Sequence, residues 1–370
     1  LRARMADASA EQAVDALCLE SGLARLFADS DSDDLQRLAA RTAVCSRFCV
    51  LSGGPGTGKT STVGRILLLL IEQARAQGRD DPRIQLAAPT GKAAAHLSVS
   101  LERTLSALEL EDDVRAALPK AATTLHRCLG ASRQVGRPFR HGLHRPLAAD
   151  VILVDEASMV DLALMTQLVE ATPAHAHLIL LGDRDQLASV EAGAVLGDIA
   201  RPAREEEAVS AIVLLKHSYR FEAESGVGRL TQAINAGDVE QALFILDDPA
   251  YPDVGLIEPD AEGQGQAALV EKMAEGYAPF LEESDPAACL QAFDRFRVLS
   301  AYRHGVFGVD ALNRVLETRL GFPARLDPGS EFYRGRPLAM TGNDYELELY
   351  NGDVGVVMEE PRANGRGGRA

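Results

Sequence analysis

Short apolar runs alternate along the chain with glycine-containing turns and with stretches whose apolar residues have helical spacing. Four of these runs, at residues 48–51, 84–88, 151–154 and 177–181, predict buried β-strands. Because helical stretches lie between them, we expect an α/β fold in which right-handed crossovers connect parallel strands. The carboxyl ends of these strands would then lie at one edge of the sheet, where loops can bring functional side chains together.

Weaker patterns flank this region. Residues 1–42 have helical spacing, and the charged stretch 201–210 predicts a linker to a second part of the chain. Further strands are predicted at residues 212–215, 297–301, 347–350 and 354–358. The last two strands would form a hairpin, because Asn351, Gly352 and Asp353 between them are a turn signal.

A glycine-rich segment, SGGPGTGKT at residues 52–60, follows the first apolar run and precedes an apolar helical stretch. It matches each fixed position of the P-loop pattern GxxxxGK[ST] in the expected strand–loop–helix context; a plain glycine-rich turn is the alternative. Glycines let successive N–H groups surround a polyphosphate, and a lysine ammonium can reach the outer phosphates. We therefore predict a nucleoside triphosphate site made of Gly54, Pro55, Gly56, Thr57, Gly58, Lys59, Thr60 and Ser61. The Thr60 hydroxyl would bind Mg²⁺.

Two acidic residues, Asp155 and Glu156, come directly after the apolar run at 151–154. Burial of acidic side chains directly after a buried strand is unfavourable unless they face a functional site. At the carboxyl edge of a parallel sheet, these two side chains would lie beside the P-loop. We predict that Asp155 holds Mg²⁺ and that Glu156 deprotonates the attacking water. A helix N-cap followed by a first-turn acid is the alternative. Gln186, which follows the run at 177–181, would suit a γ-phosphate sensor.

Composition is that of an ordinary globular chain of about two to three domains, with 370 residues, 46% hydrophobic and 25% charged. No apolar run approaches the roughly 20 residues that span a bilayer, and no signal-peptide pattern is present, so we expect a cytoplasmic protein that does not contact a membrane. The five cysteines form no CxxC pair, which argues against a disulfide framework or a zinc site.

Charge taken alone disfavours binding to nucleic acid, since 38 basic residues stand against 54 acidic ones and the net charge is −16. The distribution of the charged residues along the chain qualifies this conclusion. Residues 114–149 contain seven Lys or Arg, three His and no Asp or Glu. Such a run is commonly a solvated face, but it is also the pattern of a basic stripe that binds nucleic acid.

Seven further strings occur in order after the P-loop: APTGKAAA (88–95), TLHRCLG (124–130), DEASMVD (155–161), GDRDQLASVEAGAVLGDI (182–199), SYRF (218–221), FGVDALN (307–313) and NDYELELYNGDVG (343–355). Together with the P-loop, these strings resemble the motor signature of superfamily 1 DNA helicases that move 5′ to 3′. The longer strings are similar to the RecD family, the α subunits of the RecBCD enzyme, or exonuclease V.

This resemblance implies an α/β P-loop NTPase with two RecA-like parallel-sheet domains. The helical N-terminal region would cover residues 1–42, the first motor domain 43–205 and the second 206–370. The family pattern continues beyond the predicted hairpin, whereas this chain ends at Ala370, so we expect a fragment with an incomplete second motor domain. The implied activity is ATP- and Mg²⁺-dependent translocation on single-stranded DNA from duplex ends, with RecB-like and RecC-like partners and the nuclease centre in another subunit.

The resemblance also implies roles for single residues. Gln36 would contact adenine, and Lys59, Thr60, Asp155 and Glu156 would have the roles given above. Gln186 would sense the γ-phosphate, and Arg220 of SYRF would reach it across the cleft between the two motor domains. Contacts to single-stranded DNA are implied for Pro89, Thr90, Gly91, Lys92, Thr124, His126, Asn343, Asp344 and Asn351.

Other functions stay open at this point. A stand-alone RecD-like helicase would have the same motifs without a nuclease partner. A nucleotide-dependent binding switch would use the P-loop without translocation, although the basic run and Arg220 disfavour it. A small-molecule kinase would need an arginine-containing lid and an acceptor pocket, and nothing in the sequence indicates either one.

Overall fold

A sheet of seven strands organises the part of the chain that carries the P-loop. The strands are β1 (Phe48–Gly53), β2 (Ile84–Ala88), β3 (Thr123–Thr124), β4 (Val151–Val154), β5 (His177–Gly182), β6 (Ala208–Val209) and β7 (Ile212–Leu215). Their order across the sheet is β3-β2-β4-β5-β1-β7-β6, and the pairs are parallel except for β6 with β7. The four apolar runs thus form neighbouring parallel strands, as predicted.

The computed structural model describes residues 14–28, 34–131, 139–186, 194–201, 208–209, 211–216, 224–257, 264–322, 332–344, 346–347 and 349–359. The chain divides into two units, Leu1–Ile245 and Leu246–Ala370. This division falls later than the boundary predicted at residue 205. The physical reason is that β7, which the sequence assigned to the second domain, pairs with β1 in the first sheet.

Helices of the first unit are α1 (Ala16–Leu26), α2 (Asp34–Cys45), α3 (Lys59–Ala76), α4 (Gly91–Ser106), α5 (Asp112–Ala117), α6 (Leu125–Cys128), α7 (Leu162–Ala171), α8 (Val195–Ala200) and α9 (Gly226–Ala236), followed by α10 (Val239–Asp247) at the boundary. The helical spacing near the N-terminus is confirmed by α1 and α2. Several helices begin at a side chain that accepts a backbone N–H, for example Asp15, Thr90 and Asp161. None of the helices in the described ranges is long and apolar enough to cross a membrane.

Both faces of the sheet are buried, which explains why its strands are continuous apolar runs. Successive residues of β1 alternate between the faces: Cys49 and Leu51 belong to one buried cluster, and Phe48 and Val50 to the other. Helices α1 to α4 contribute to the first cluster, and α6 to α8 to the second. The sheet is therefore a rigid middle layer that holds the loops at its carboxyl edge.

The second unit contains α11 (Gln264–Glu282), α12 (Pro286–Asp294), α13 (Val309–Arg319) and the antiparallel strands β8 (Pro337–Ala339) and β9 (Val354–Val356). Its small core is formed by Phe280, Cys289, Ala292 and Phe293. Its assignment as a second RecA-like domain stays a prediction.

Two strand predictions in this unit are wrong. Residues 297–301 form no strand, and Leu299 is 94% exposed, because this segment has no strand beside it in the described part of the unit. Strand β9 pairs with β8 and not with residues 347–350. The Asp353 carboxylate accepts the Tyr350 N–H at 2.7 Å, so a side chain binds a backbone donor of the predicted strand.

Candidate functional site

The P-loop connects β1 to α3, and α3 begins at Lys59 as the motif predicts. Gly56 and Gly58 have φ values of 77° and 80°, in the left-handed region that favours glycine. Gly58 is the N-cap residue and supplies no side-chain hydrogen bond, so the first N–H groups of α3 are not capped by a side chain. The loop therefore has the shape and the donors that a polyphosphate needs.

Side chains of the loop bind its own carbonyl groups. The Lys59 ammonium donates to the carbonyl oxygens of Gly53 and, at 3.1 Å, Gly54. The Thr57 hydroxyl also donates to Gly54, at 2.9 Å, and the Ser61 hydroxyl donates to Gly58 at 2.8 Å. These bonds hold the Lys59 ammonium across the loop, where the motif requires it. Thr60 lies in the first turn of α3 and is half-buried.

The acid pair follows β4, which is separated from β1 by β5 alone. Asp155 is 9% exposed, and burial raises its pKa although the charge of Lys59 acts in the opposite direction. Burial also raises the pKa of Glu156, and the neighbouring Asp155 charge raises it further, while Lys59 again lowers it. The structure thus brings Lys59, Asp155 and Glu156 within electrostatic reach of one another.

Glu156 has an unusual backbone, with φ 51° and ψ 39°. Among the described residues it is the one non-glycine with positive φ. It occupies the N-cap position of a short 3₁₀ turn, Ala157–Met159, but its side chain makes no capping hydrogen bond. The alternative interpretation, in which Asp155 is a helix N-cap and Glu156 a first-turn acid, does not fit this turn, because Glu156 itself occupies the N-cap position. Strain of this kind, about 1–2 kcal/mol, clusters at functional sites.

Gln186 and further polar groups lie at the end of β5. The Ser158 hydroxyl donates to Gln186 Oε1 at 3.4 Å, and Gln186 is exposed. Asp183, which is 8% exposed, accepts a hydrogen bond from the Asp185 N–H at 3.0 Å, and its charge raises the pKa of Glu156. The sequence analysis missed Asp183, although it directly follows a buried strand as Asp155 does.

His96 on α4 is a second residue that the sequence analysis missed. Its charge acts on both Asp155 and Glu156, in the direction that lowers their pKa values. It is exposed on a helix that begins at the end of β2. No local pattern connects it to the acid pair, because the two come together only when β2 and β4 pair.

Gln36 lies against the P-loop. Its side chain is 5% exposed, and Nε2 donates to the Thr57 carbonyl oxygen at 3.4 Å. The amide also accepts, through Oε1, a 3.3 Å hydrogen bond from the Arg65 guanidinium on α3. Its proximity to the loop agrees with the role that the family resemblance implies.

The first two segments implied in DNA contact meet at one edge of the sheet, because Ala88 and Thr124 are register partners in β2 and β3. Thr90 accepts from the Ala93 N–H at 3.2 Å, and Thr124 accepts from Arg127 at 3.3 Å, so both threonines cap helices. The other members of these segments are Pro89, Gly91, Lys92 and His126. All of them lie on the same edge as the acid pair.

The remaining implied residues belong to the second unit or lie outside the described residues. Asn343, Asp344 and Asn351 lie in the second unit, where the Asn343 side chain accepts the Asn351 N–H at 2.8 Å. Arg220 lies outside the described residues. A cavity of about 370 Å³ borders the P-loop, and it is also lined by Asp183 and by Gln232 and Asn235 of α9. The sequence analysis did not connect α9 with the site.

Replacing Gly58 by alanine is expected to prevent nucleotide binding and to destabilise the fold by about 1–2 kcal/mol, because an L-residue is strained in the left-handed region. In addition, a Cβ at this position would lie 2.4 Å from Gln36 Nε2. Titration with a fluorescent ATP analogue and thermal unfolding measure the two effects. Gly78→Ala is the matched control, since Gly78 has φ 66° but nothing within 4 Å of a Cβ. Equal nucleotide binding by the two variants would contradict this assignment.

Replacing Asp155 by asparagine is expected to raise the melting temperature of the protein at pH 7, measured without added nucleotide. The pKa of Asp155 is raised in the folded state, so its ionised form is unfavourable there. Folding stability of the wild type therefore falls as pH rises through the raised pKa, and the advantage of the variant disappears below the ordinary pKa of an aspartate. The exposed Asp80→Asn serves as control, and a variant that melts below the wild type at pH 7 would be the opposite result.

A strand, a glycine loop and a helix that begins at a lysine, with an acid pair two strands away, define a P-loop NTPase. A family model described as an AAA domain matches residues 36–192 and agrees that this is a nucleotide-binding domain. The "RecBCD enzyme subunit RecD" of Mycolicibacterium smegmatis is 42% identical over 337 residues, which cover 88% of this chain and 57% of that protein. RecD of Mycobacterium tuberculosis is 43% identical, with 89% and 56% covered.

The predicted resemblance is confirmed over the part of those RecD sequences that the chain spans. The chain spans a little over half the length of these curated relatives. The "ATP-dependent RecD2 DNA helicase" of Deinococcus radiodurans is 31% identical, over 85% of this chain and 36% of that protein.

Proposed function

We propose that the chain is the motor part of an ATP-dependent DNA helicase subunit that moves 5′ to 3′ on single-stranded DNA. The observation that carries this proposal is the acid pair, Asp155 and Glu156, within electrostatic reach of the P-loop Lys59. These residues belong to a chain that matches two RecD subunits at 42% and 43% identity. The name of the RecD2 relative, an ATP-dependent DNA helicase, supports the same reaction.

ATP would be bound by the P-loop N–H groups and by Lys59, whose ammonium would move from the Gly53 and Gly54 carbonyls to the outer phosphates. Glu156 would accept the proton of the attacking water. Burial and the negative charges of Asp155 and Asp183 all raise its pKa, so its carboxylate is a stronger base than an exposed glutamate.

Mg²⁺ fits the residues present at this edge. A buried carboxylate whose charge is unfavourable without a cation, on Asp155, and the hydroxyl of Thr60 are the hard oxygen ligands that this ion takes. The bound ion would neutralise charge on the phosphate oxygens. Asp155 Oδ1 accepts the Glu156 N–H at 2.9 Å, which fixes the carboxylate at the end of β4.

The two-domain mechanism is part of the proposal. We infer a first RecA-like motor domain in the unit that ends at Ile245 and a second in residues beyond it. Gln186 and Arg220, both within the residue range of the first unit, would sense the γ-phosphate, and opening and closing of the two domains would accompany hydrolysis. Alternate grip on a strand by the two domains would then produce stepping along it.

DNA would lie on the sheet edge that carries the segments 89–92 and 124–126. Both segments follow neighbouring strands, β2 and β3, and both begin a helix. Helix N-termini with Lys92, His126 and Arg127 would bind backbone phosphates, so affinity should depend on salt and tolerate any base sequence. Asn343, Asp344 and Asn351 would supply contacts from the second unit.

The direct test is ATP hydrolysis with and without single-stranded DNA, followed by unwinding of 5′-tailed and 3′-tailed duplexes. We expect DNA to stimulate hydrolysis and the 5′-tailed duplex, not the 3′-tailed one, to be unwound. ATP binding with no stimulation by DNA would favour the nucleotide-switch alternative and would contradict the motor assignment.

Partners and location belong to the same proposal. We infer a cytoplasmic complex with RecB-like and RecC-like subunits that processes duplex ends, because the two most identical relatives given above are RecBCD subunits. The RecD2 relative, whose name mentions no complex, supports a second candidate function, a helicase that works alone. Copurification of the chain with RecB-like and RecC-like proteins supports the complex, and a chain that is recovered alone but active supports the stand-alone helicase.

A further inference from the structure

Aromatic and basic residues are interleaved in a segment of the second unit that has no part in the site described above. Residues 295–309 contain three Arg, one His, three aromatic residues and no Asp or Glu, in a chain whose net charge is −16. Such a segment is either a part of the core with solvated charges or a surface that binds single-stranded nucleic acid. The surroundings of each side chain distinguish the two.

The three aromatic residues of this segment have different surroundings. The Phe296 ring packs inside the unit, with its centre 5.1 Å from that of the Tyr277 ring. Tyr302 and Phe307 are 72% and 41% exposed, and Val306 between them is exposed as well. Exposed apolar side chains that are grouped in this way mark a surface that binds a partner.

The charges of the segment favour an anionic partner. The Arg297 guanidinium pairs with Asp294, and the His304 imidazole lies 2.9 Å from the Asp310 carboxylate. These two acids are each matched by a basic group, so Arg303, which is exposed and follows Tyr302 directly, gives the segment an excess of positive charge. Nucleic acid presents phosphates together with bases that stack, and it therefore matches this surface better than a purely apolar partner does.

Hydrogen bonds hold the loop that carries the exposed rings in one shape. The Ser300 hydroxyl lies 2.9 Å from the carbonyl oxygen of Tyr302 and 2.7 Å from that of Phe307, so it joins the backbone of the two aromatic residues. The N–H of Val309, the first residue of α13, donates to the Tyr302 carbonyl at 3.1 Å. A loop fixed in this way loses little conformational entropy when a ligand binds.

We infer that the loop at residues 302–307 is a stacking platform for single-stranded DNA, an inference that deepens the proposed function and rests on it. Tyr302 and Phe307 stack on bases, and Arg303 binds a backbone phosphate. Every base has a π-face, so this contact tolerates any base sequence. It places a DNA contact in the second unit that neither the sequence motifs nor the P-loop region indicated.

The test uses the absence of tryptophan from this chain. Tyr302→Trp introduces a single indole, and we expect oligothymidylate to quench its fluorescence because a base stacks on it. Phe244→Trp on α10 is the matched control, since Phe244 is also an exposed aromatic residue, at 58%, and its fluorescence should not change. An abasic oligonucleotide of the same length presents phosphates alone, so it should bind more weakly and leave the indole of Tyr302→Trp unquenched.

Two further variants separate stacking from charge. Tyr302→Ala should lower the affinity for oligothymidylate by about tenfold, whereas Phe244→Ala should bind as the wild type does. Arg303→Gln should reduce the slope of log affinity against log salt concentration by about 0.7, the value for one phosphate contact on a single strand, and Arg303→Lys should retain the slope.

Three results would overturn the inference. An unquenched Tyr302→Trp that still binds oligothymidylate would remove the loop from DNA binding and leave the proposed motor intact. Equal quenching of Tyr302→Trp and Phe244→Trp would show that the signal is not specific to the loop. Weaker binding by Tyr302→Ala without quenching of Tyr302→Trp would mean that Tyr302 supports the fold or another protein contact. A wild type that does not bind oligothymidylate at all would instead refute the DNA-binding part of the proposed function itself.

Discussion

Replacing Lys59 by alanine is expected to reduce DNA-stimulated ATP hydrolysis by at least about a hundredfold while the fold stays intact. The ammonium lies across the P-loop on the Gly53 and Gly54 carbonyls, from which it can reach the outer phosphates, and it also acts on both carboxylates at the end of β4. Steady-state hydrolysis and thermal unfolding measure the two parts of this expectation.

Lys272→Ala is the control for this variant, because Lys272 is an exposed lysine of the second unit. It should hydrolyse ATP at the wild-type rate. Lys59→Ala loses the hydrogen bonds of the ammonium to the Gly53 and Gly54 carbonyls, so it should remain folded with a loss of stability of about 1–2 kcal/mol. DNA-stimulated turnover that persists in Lys59→Ala would refute the assignment of the site.

Glu156→Gln is expected to lower the rate of hydrolysis by about 10²–10⁴-fold and to leave ATP binding in place, because the amide has the shape of the carboxylate but cannot accept the proton of water. The variant also removes a negative charge from beside Asp155 and Asp183, so binding of the triphosphate should be unchanged or tighter. Single-turnover hydrolysis and nucleotide titration separate the two quantities.

The pH dependence of ATP hydrolysis by the wild type is a second test of the role of Glu156. Glu156 works as a base only when ionised, and its pKa is raised by burial and by the Asp155 charge. Activity should therefore fall with decreasing pH, starting above the pH at which an ordinary glutamate is protonated. Glu170→Gln, an exposed change on α7, should retain the profile. Full activity of Glu156→Gln would show that another group takes the proton.

Much of the first unit follows from local sequence alone. The strand, loop and helix around Lys59 occupy one continuous segment, so their apolar spacing and glycines determine them without distant contacts. Asp155 could be recognised because an acid after a fully apolar strand is unfavourable unless it faces a site. The same rule should have included Asp183, which also follows a buried strand.

Features that depend on distant partners could not be predicted in this way. Arg65 lies on the predicted P-loop helix, but its bond to Gln36 spans 29 residues and leaves no periodic signal. His96 reaches the acid pair only through the pairing of β2 with β4. Strand β9 pairs with β8, which lies further back in the chain than the predicted hairpin partner, so the turn signal at 351–353 did not identify this pairing.

The domain boundary is another feature that local sequence could not predict. The charged stretch at 201–210 marks a change in composition, and composition alone led to a boundary there. Strand β7 instead returns to pair with β1, whose other neighbour is β5, so the first sheet continues past that stretch. Pairing between strands about 160 residues apart is a property of the assembled sheet and cannot be detected in a local window.

The central claim is that a triphosphate binds at the carboxyl edge of the first sheet, held by the P-loop and faced by the acid pair after β4. Isothermal titration of the wild-type chain with Mg·ATP tests it most directly. The structure predicts one site per chain, with ADP as a competitor and with no measurable binding in Gly58→Ala. Absence of binding to the folded wild type, or equal binding by Gly58→Ala, would contradict the claim.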